Sequence, residues 1–138
     1  TVLSDLTINS LNPDLYSIAE ISKEENMIHL ENADVDEIVI NNNINSRLMV
    51  RTALYHGTSR IFNELLSNKV GNEIYMVPAN REHADQTYIV IFNLLKQKKN
   101  ATLLGLKRDR ELLLNPDNDE KILAGDQLIY IARDKLIS

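Results

Sequence analysis

The sequence predicts a mixed fold, in which an α/β part is followed by a small α+β lobe. Two short apolar segments, residues 15–21 and 37–40, enclose about a dozen residues of helical character, the pattern of a parallel β-α-β unit. From residue 72 onward, one helical segment is followed by apolar segments with short turns between them, which indicates a mostly antiparallel sheet. Two further helical segments connect the parts.

Composition restricts both the size and the function of the chain. Its 138 residues suit one domain or two small lobes, and 43% apolar residues suffice for a packed core. With 15 Lys and Arg against 20 Asp and Glu, the net charge is −5, so nucleic acid is not an expected partner. The absence of Cys excludes disulfides and thiolate chemistry and favours a reducing compartment. The longest apolar run, 88–92, is far shorter than the roughly 20 residues that span a bilayer, so we expect a soluble chain.

The N-terminal segment is expected to form the last third of a doubly wound sheet. Apolar residues at helical spacing precede Pro13, which ends a first helix. After the strand at 15–21, Ser22 and Glu25 form an S-x-x-E capping box that starts a short helix. The strand at 37–40 then pairs with the first strand. Because the chain begins within a helical pattern and without Met, we expect it to be a piece of a longer protein.

Two helices separated by a tight turn are predicted in the middle of the chain. N-cap candidates for the first helix are Asn43, Asn45 and Ser46. This helix is apolar on two faces, so it needs two surfaces to pack against. Gly57 then allows the turn, and Thr58 or Ser59 can cap the second helix. An αα-hairpin within one core and a subunit interface both fit this pattern, and the periodicity does not decide between them.

The C-terminal lobe is predicted as β-α-β-β-β. A strand at 72–79 precedes a helix from His83 to Lys99, although the β-branched residues of "TYIVIF" could begin as a strand. Two strands at 101–108 and 110–115 are joined by a tight turn, and the final strand at 127–132 follows a Gly-Asp turn.

The sequence carries no catalytic constellation. His29, His56 and His83 are far apart and lack the spacing of metal ligands, so we expect no shared metal site. There is no nucleophile with its base, no paired carboxylates with a partner and no Gly-rich loop. We therefore do not expect an enzyme.

Three segments together resemble the regulator of potassium conductance (RCK) family, whose second lobe is the TrkA-C domain. They are "LNPDLYSIAEISKEENMIHLENADVDEIV", "SRLMVRTALYHG" and "ATLLGLKRDRELLLNPDNDEKILAGDQLIYIARD". The resemblance covers nearly the whole chain, and its order and spacing are more specific than any one motif. Two departures stand out: Asp34 replaces a Gly that many relatives have, and "ADQT" at 84–87 replaces a "VGKT"-like turn.

The resemblance implies a domain organisation. Residues 1–42 would be the end of a Rossmann-like N-lobe, 43–71 the interlobe dimerising helices and 72–138 the TrkA-C lobe. Because the helix from Asn45 to Tyr55 is apolar on two faces and a single lobe can cover only one, we expect a homodimer through the two helices. The resemblance implies a larger ring in the full protein. The residues expected in the dimer interface are Leu48, Tyr55, Ile61, Phe62 and Leu65.

The implied function is a cytosolic, ligand-sensing gating domain of a potassium channel. A ligand that binds one arrangement of the lobes better would shift the ring and pull on the pore helices. The pore domain would lie in the membrane, in the same or a partner chain, with this domain on the cytoplasmic face. A regulatory subunit of a Trk/Ktr-type potassium uptake system is the alternative.

Ligand residues are implied in both lobes. Glu20 ends a parallel strand, at the edge where doubly wound folds bind ligands, and in some calcium-gated relatives a carboxylate there coordinates the ion. The second carboxylate of that site would fall at Ser22 and a third before Thr1, so we do not expect calcium control of that type. A divalent cation or a nucleotide bound by the full-length N-lobe is the implied cofactor.

In the C-lobe, cationic and polar side chains could line a groove that takes a cyclic dinucleotide. Lys107, Arg108 and Arg110 could contact phosphates, and Asn115 could contact a base edge. The carboxylates of Asp117 and Asp119 would oppose the same anion, so we expect no tight cyclic-dinucleotide binding.

The acidic stretch from residue 115 to 120 is either a cation site or a turn. Its acids follow one another directly, without the interleaved ligands and the Gly of a calcium loop. Asp126, in the Gly-Asp turn, is expected to accept backbone N–H groups. We therefore favour a structural turn and keep Asp117 and Asp119 as weak metal candidates.

Overall fold

A computed structural model describes residues 15–22, 27–32, 35–67 and 71–136. The chain divides into two compact units, Thr1–Ser59 and Arg60–Ser138. The predicted helix before Pro13, Glu25 of the predicted capping box and Asp34 lie outside the described residues. The three-part division at residues 42 and 71 stays a prediction.

The first unit contains the predicted parallel β-α-β arrangement. Strand β1 (Ile18–Ile21), helix α1 (Met27–Glu31) and strand β2 (Glu37–Ile40) follow one another, and β1 pairs in parallel with β2. Residues in β1 alternate between exposed and buried, and Ala19 and Ile21 pack with Leu30 of α1 in a small apolar core. This alternation is what one covered face of a strand requires.

Helix α2 (Asn41–Leu54) follows β2 directly, so the predicted N-caps are wrong. The helix begins at Asn41, and its N-cap position is Ile40, which has an extended backbone and whose hydrocarbon side chain accepts no capping hydrogen bond. The chain therefore passes from strand into helix without the polar cap that the Asn and Ser residues suggested.

Helix α3 (Thr58–Leu66) follows a turn that contains Gly57, which has φ of +95° as predicted. Thr58 and Ser59 lie in the first turn of this helix. The Thr58 hydroxyl donates a hydrogen bond to the Tyr55 carbonyl over 2.6 Å, within the turn that contains Gly57.

After α3, most of which belongs to the second unit, this unit contains a four-stranded antiparallel sheet and a helix that covers it, and the predicted fold class is confirmed. The elements are strand β3 (Glu73–Pro78), helix α4 (Tyr88–Lys99) and strands β4 (Thr102–Arg108), β5 (Glu111–Leu114) and β6 (Gln127–Ala132). The strand order is β3-β6-β4-β5, and every neighbouring pair is antiparallel. The final strand has the predicted bounds.

Helix α4 begins at Tyr88, not at the predicted His83. The residues before it form a turn in which the Asn80 carbonyl accepts the His83 and Ala84 N–H groups, and Asp85 has φ of +67°. A left-handed residue cannot continue an α-helix, so the helix starts only after it. The β-branched segment after Thr87 is helical, and this conformation places Tyr88 and Ile91 in the core.

The core of the second unit lies between α4 and one face of the sheet. Tyr88, Ile91 and Leu95 of α4 are buried against strand residues, and the Tyr88 hydroxyl donates to the Leu103 carbonyl over 2.9 Å. The strand residues buried in this core are Leu103, Leu106, Leu128, Tyr130 and Ala132. The opposite face carries exposed apolar side chains, namely Ile74, Met76, Leu112 and Leu114.

Candidate functional site

Arg108 joins three separate segments at one corner of the second unit. It lies at the end of β4, and its guanidinium donates from Nε to Asp126 Oδ1 over 3.0 Å and from Nη2 to Asp126 Oδ2 over 2.9 Å. It also donates to Glu120 Oε1 over 3.0 Å and to the Lys121 carbonyl over 2.8 Å. The two-bond contact to Asp126 matches the planar fork of a guanidinium to a carboxylate. We refer to Arg108, Glu120 and Asp126 as the Arg108 cluster.

The buried side chain of Asp126 stabilises the turn before β6 by accepting a hydrogen bond within it. Its side chain is almost fully buried, and its Oδ2 accepts the backbone N–H of Leu123 over 2.9 Å. The Asp126 N–H donates back to the Leu123 carbonyl, and the Asp126 carbonyl accepts the Ala79 N–H. The prediction that Asp126 accepts a backbone N–H in its turn is confirmed.

The ionisation of Asp126 is set by opposing effects. Burial alone would raise the pKa of this carboxyl, but the hydrogen bonds from Arg108 and Leu123 and the charge of Arg108 together lower the pKa below its ordinary value of 3.8. The ion pair therefore stabilises the fold above the ordinary pKa, and this stability is lost as the pH falls through the lowered pKa.

The acidic stretch lies at the start of α4 and caps it through its backbone. The Glu120 carbonyl accepts the Tyr88 N–H over 2.7 Å, and the Asn118 carbonyl accepts the Ile89 N–H over 3.2 Å. These are N–H groups of the first helical turn, which have no partner within a helix. Asp117 and Asp119 themselves are exposed. The stretch therefore has a structural role, and metal binding by its two exposed carboxylates stays a prediction.

The remaining predicted ligand residues are distributed over both units. Glu20 is exposed on β1 opposite Val39 in the first unit, whereas Arg108 and Asn115 belong to the second. Asn115 has φ of +48°, and its N–H donates to the Leu104 carbonyl over 2.8 Å. Within the described ranges, no group of three or more His, Asp or Glu side chains is placed to hold a metal ion. Ligand binding by Glu20, Arg108 and Asn115 stays a prediction.

The sequence pattern does not predict the pairing of Arg108 with Asp126. The two residues are 18 positions apart, and no local periodicity connects a residue at the end of one strand to a turn before another. The detectable signal was a single Asp in a turn between apolar residues, which indicated an acceptor but not its cationic partner.

Replacing Arg108 by alanine is expected to lower the free energy of unfolding by about 3 kcal/mol at neutral pH, because it leaves the buried Asp126 carboxylate unpaired. The same variant should lose the part of the acid dependence that comes from the lowered pKa of Asp126. Urea unfolding followed by circular dichroism at neutral and acid pH measures both effects.

The matched control for this prediction is Arg110→Ala, which removes an exposed arginine two positions away. It is expected to change the free energy of unfolding by less than about 0.5 kcal/mol. Equal effects of the two variants would contradict the role given to the Arg108 cluster.

Helix α2 exposes apolar side chains on both of its predicted faces. Met49 is 75% exposed on one face and Leu54 is 68% exposed on the other, so neither face is covered within the first unit. An open cavity of about 600 Å³ lies along the helix, and its lining residues are Asn45, Leu48, Met49, Thr52, Ala53 and Ser59. In the described part of the chain, the Thr52 hydroxyl oxygen is buried without a hydrogen-bond partner.

Helix α3 is strongly amphipathic, and its apolar side is open. Ile61 is 60% exposed, Phe62 is 47% exposed and Leu66 is 78% exposed, while Arg60, Asn63 and Glu64 occupy the polar side. None of the described side chains of this helix is fully buried. An apolar stripe of this kind normally packs against another surface.

In the described parts of the chain, no helix has both the length and the apolar character needed to cross a membrane.

Comparisons with known proteins identify the family. The model of the family described as "Castor and Pollux, part of voltage-gated ion channel" matches residues 42–137. A curated relative, the calcium-gated potassium channel TvoK of Thermoplasma volcanium, is 25% identical over 135 residues, which is 98% of this chain and 38% of the relative. The chain therefore spans less than half of the curated relative that it matches.

A solved structure shows the same fold. The human SLO3 gating ring superimposes with a TM-score of 0.75 at 16% identity, covering 95% of this chain and 29% of the other. The RCK domain of GsuK gives a lower TM-score of 0.46 at 19% identity, over 96% of this chain and 28% of the other. The resemblance to the regulatory domains of potassium channels is confirmed. Since the family model matches most of its residues, the chain belongs to the Castor and Pollux family of ion-channel regions.

Proposed function

We propose that this chain is a non-enzymatic, cytosolic regulatory domain of a potassium channel, in which ligand binding is coupled to pore opening through the assembly of several copies. The observation that carries the proposal is the pair of consecutive helices, α2 and α3, whose apolar faces are left open by their own units. The relative TvoK is a potassium channel, and the structural neighbour is a gating ring.

The helices α2 and α3 form the proposed assembly surface. Its exposed members are Tyr55 on the turn after α2 and Ile61 and Phe62 on α3, and its partly buried members are Leu48 and Leu65. Because one chain presents both an apolar cavity and an apolar helix face, two copies related by a two-fold axis can cover each other's surfaces. The proposed partner is therefore a second copy of this chain.

Gating follows from differential binding. A ligand that favours one arrangement of the assembled domains shifts the population toward it, by no more than its difference in affinity for the two arrangements. In the first unit, Glu20 at the carboxyl end of β1 is the proposed ligand residue. In the second unit, the N–H groups of Arg108 already bind two carboxylates, so an anionic ligand would compete with them. For this reason we propose that Arg108 positions the segments that carry Glu120 and Asp126, and is less suited to bind the ligand itself.

The functional test measures potassium flux across the membrane of vesicles that contain the channel with this domain. The variants are Phe62→Asp, which places a charge on the assembly surface, and Asn63→Asp, which adds the same charge on the polar side of the same helix. We expect a divalent cation or a nucleotide that activates the wild type to change the flux of Asn63→Asp in the same way, but not the flux of Phe62→Asp. Equal responses of all three proteins would contradict the coupling, and an absence of potassium flux would contradict the proposed class of channel.

A further inference from the structure

The turn between β3 and α4 is closed by reciprocal bonds between Asn80 and His83. The Asn80 Oδ1 atom accepts the N–H groups of Glu82 over 3.0 Å and of His83 over 3.1 Å. In return, the Nδ1 atom of the His83 ring accepts the backbone N–H of Asn80 over 3.3 Å. The ring is partly buried in this turn.

This hydrogen bond requires a neutral imidazole. A backbone N–H can only donate, so Nδ1 must carry a free lone pair and the ring proton must lie on Nε2. When a proton from the solvent binds Nδ1, this atom becomes a donor and faces a second donor, so the bond to Asn80 is lost.

Two effects act on the ionisation of His83. Burial lowers its pKa below the ordinary value of 6.5, and the nearby charge of Glu82 opposes this effect without cancelling it. Of the residues that the structure describes, Glu82 is the charged side chain that acts on the ring. The neutral form is thus the favoured form in the folded chain at neutral pH.

The turn is connected to the Arg108 cluster by a short backbone ladder. The Asp85 N–H donates to the Ile122 carbonyl over 2.9 Å, and the Ile122 N–H donates to the Gln86 carbonyl over 3.0 Å. Thr87 forms a bridge with Lys121, whose carbonyl binds Arg108. The turn is therefore bonded to the segment that holds both Arg108 and the first turn of α4.

We propose that His83 makes the Asn80–Asp85 turn a pH-dependent latch, in which the neutral ring closes the turn and the protonated ring opens it and loosens the ladder between residues 85–87 and 120–122. This inference stands on the turn itself and goes beyond assembly through α2 and α3. In this proposal, the second unit responds to a proton that binds at His83.

The first test is an NMR titration of the wild-type chain from about pH 8 to about pH 5, which spans the titration range of histidine. We expect the Asn80 amide resonance to follow the titration of the His83 ring. The hydrogen-exchange protection factor of the Asn80 amide should fall by about tenfold on protonation, the effect of losing one hydrogen bond. An Asn80 amide that does not respond to the ring would overturn the proposal.

The second test compares His83→Gln with His56→Gln, which replaces an exposed histidine in the turn after α2. Because the pKa of His83 is lowered in the folded chain, its contribution to stability is complete above the ordinary pKa and is lost as the pH falls through the lowered value. The fall of the urea midpoint on acidification should therefore be smaller in His83→Gln and unchanged in His56→Gln. The same fall in both variants as in the wild type would overturn the proposal.

Discussion

Replacing Gly105 by alanine is expected to lower the free energy of unfolding by about 4 kcal/mol, because the added methyl group would collide with a neighbouring strand. A Cβ atom on Gly105 would overlap the carbonyl oxygen of Leu113 and would lie 2.9 Å from the Cα atom of Leu114. Both contacts are to the backbone of β5, which cannot rotate away as a side chain could. Either the two strands separate or their register changes.

The location of Gly105 in the sheet explains why the backbones of β4 and β5 approach so closely. The register between β4 and β6 shifts between Leu103 and Gly105, which marks a bulge. Gly105 lies opposite Leu114 of β5 and opposite Ile129 of β6 at the same time. A glycine at a bulge permits the backbones to approach in this way.

The control for Gly105→Ala is Gly125→Ala in the same unit. Gly125 has φ of +96°, but apart from Gly125 and its two chain neighbours, no heavy atom of the described residues lies within 4 Å of the position of its missing Cβ. This variant should lower the free energy of unfolding by only about 1 kcal/mol, because alanine is less stable than glycine in a left-handed backbone conformation. Urea unfolding followed by circular dichroism measures both. A loss at Gly105 no larger than at Gly125 would show that β5 can move to accommodate the methyl group.

The fold was predictable to the extent that it depends on local pattern. In the segment at 127–132, the five residues after Gln127 are all apolar and the segment follows a Gly-Asp turn, and the structure has a strand with those bounds. The parallel pairing of β1 with β2 followed from the helical segment between them, because a short hairpin cannot join parallel strands.

Other features were not predictable, because they depend on contacts between distant segments. The start of α4 at Tyr88 is set by the Asn80 turn and by carbonyls of residues 118 and 120, and no helical periodicity includes these. The start of α2 at Asn41 was obscured by three good capping residues just after it. The open apolar faces of α2 and α3 were visible as periodicity, but only the structure shows that their own units leave them exposed.

Replacing Phe62 by aspartate is expected to abolish self-association, because it would bury a carboxylate within the proposed assembly surface. An unpaired charge in an apolar interface costs several kcal/mol, and about 4 kcal/mol weakens an association by roughly a thousandfold. Phe62 is 47% exposed in the single chain, so the substitution should leave the fold of the chain intact. The loss should therefore appear in the association and not in the circular dichroism spectrum.

The matched control is again Asn63→Asp, which adds the same charge one residue further along α3, on the polar side. Because this side faces solvent in the proposed dimer, the control should associate as the wild type does. A weakened association in both variants would mean that net charge, and not burial of the apolar face, governs assembly.

Sedimentation velocity of the wild type, Phe62→Asp and Asn63→Asp at tens of micromolar tests most directly whether α2 and α3 assemble this domain. We predict that the wild type and Asn63→Asp sediment as dimers or larger species, while Phe62→Asp sediments as a folded monomer. A monomeric wild type, or a Phe62→Asp variant that still forms the dimer, would contradict the proposal that these helices are its assembly surface.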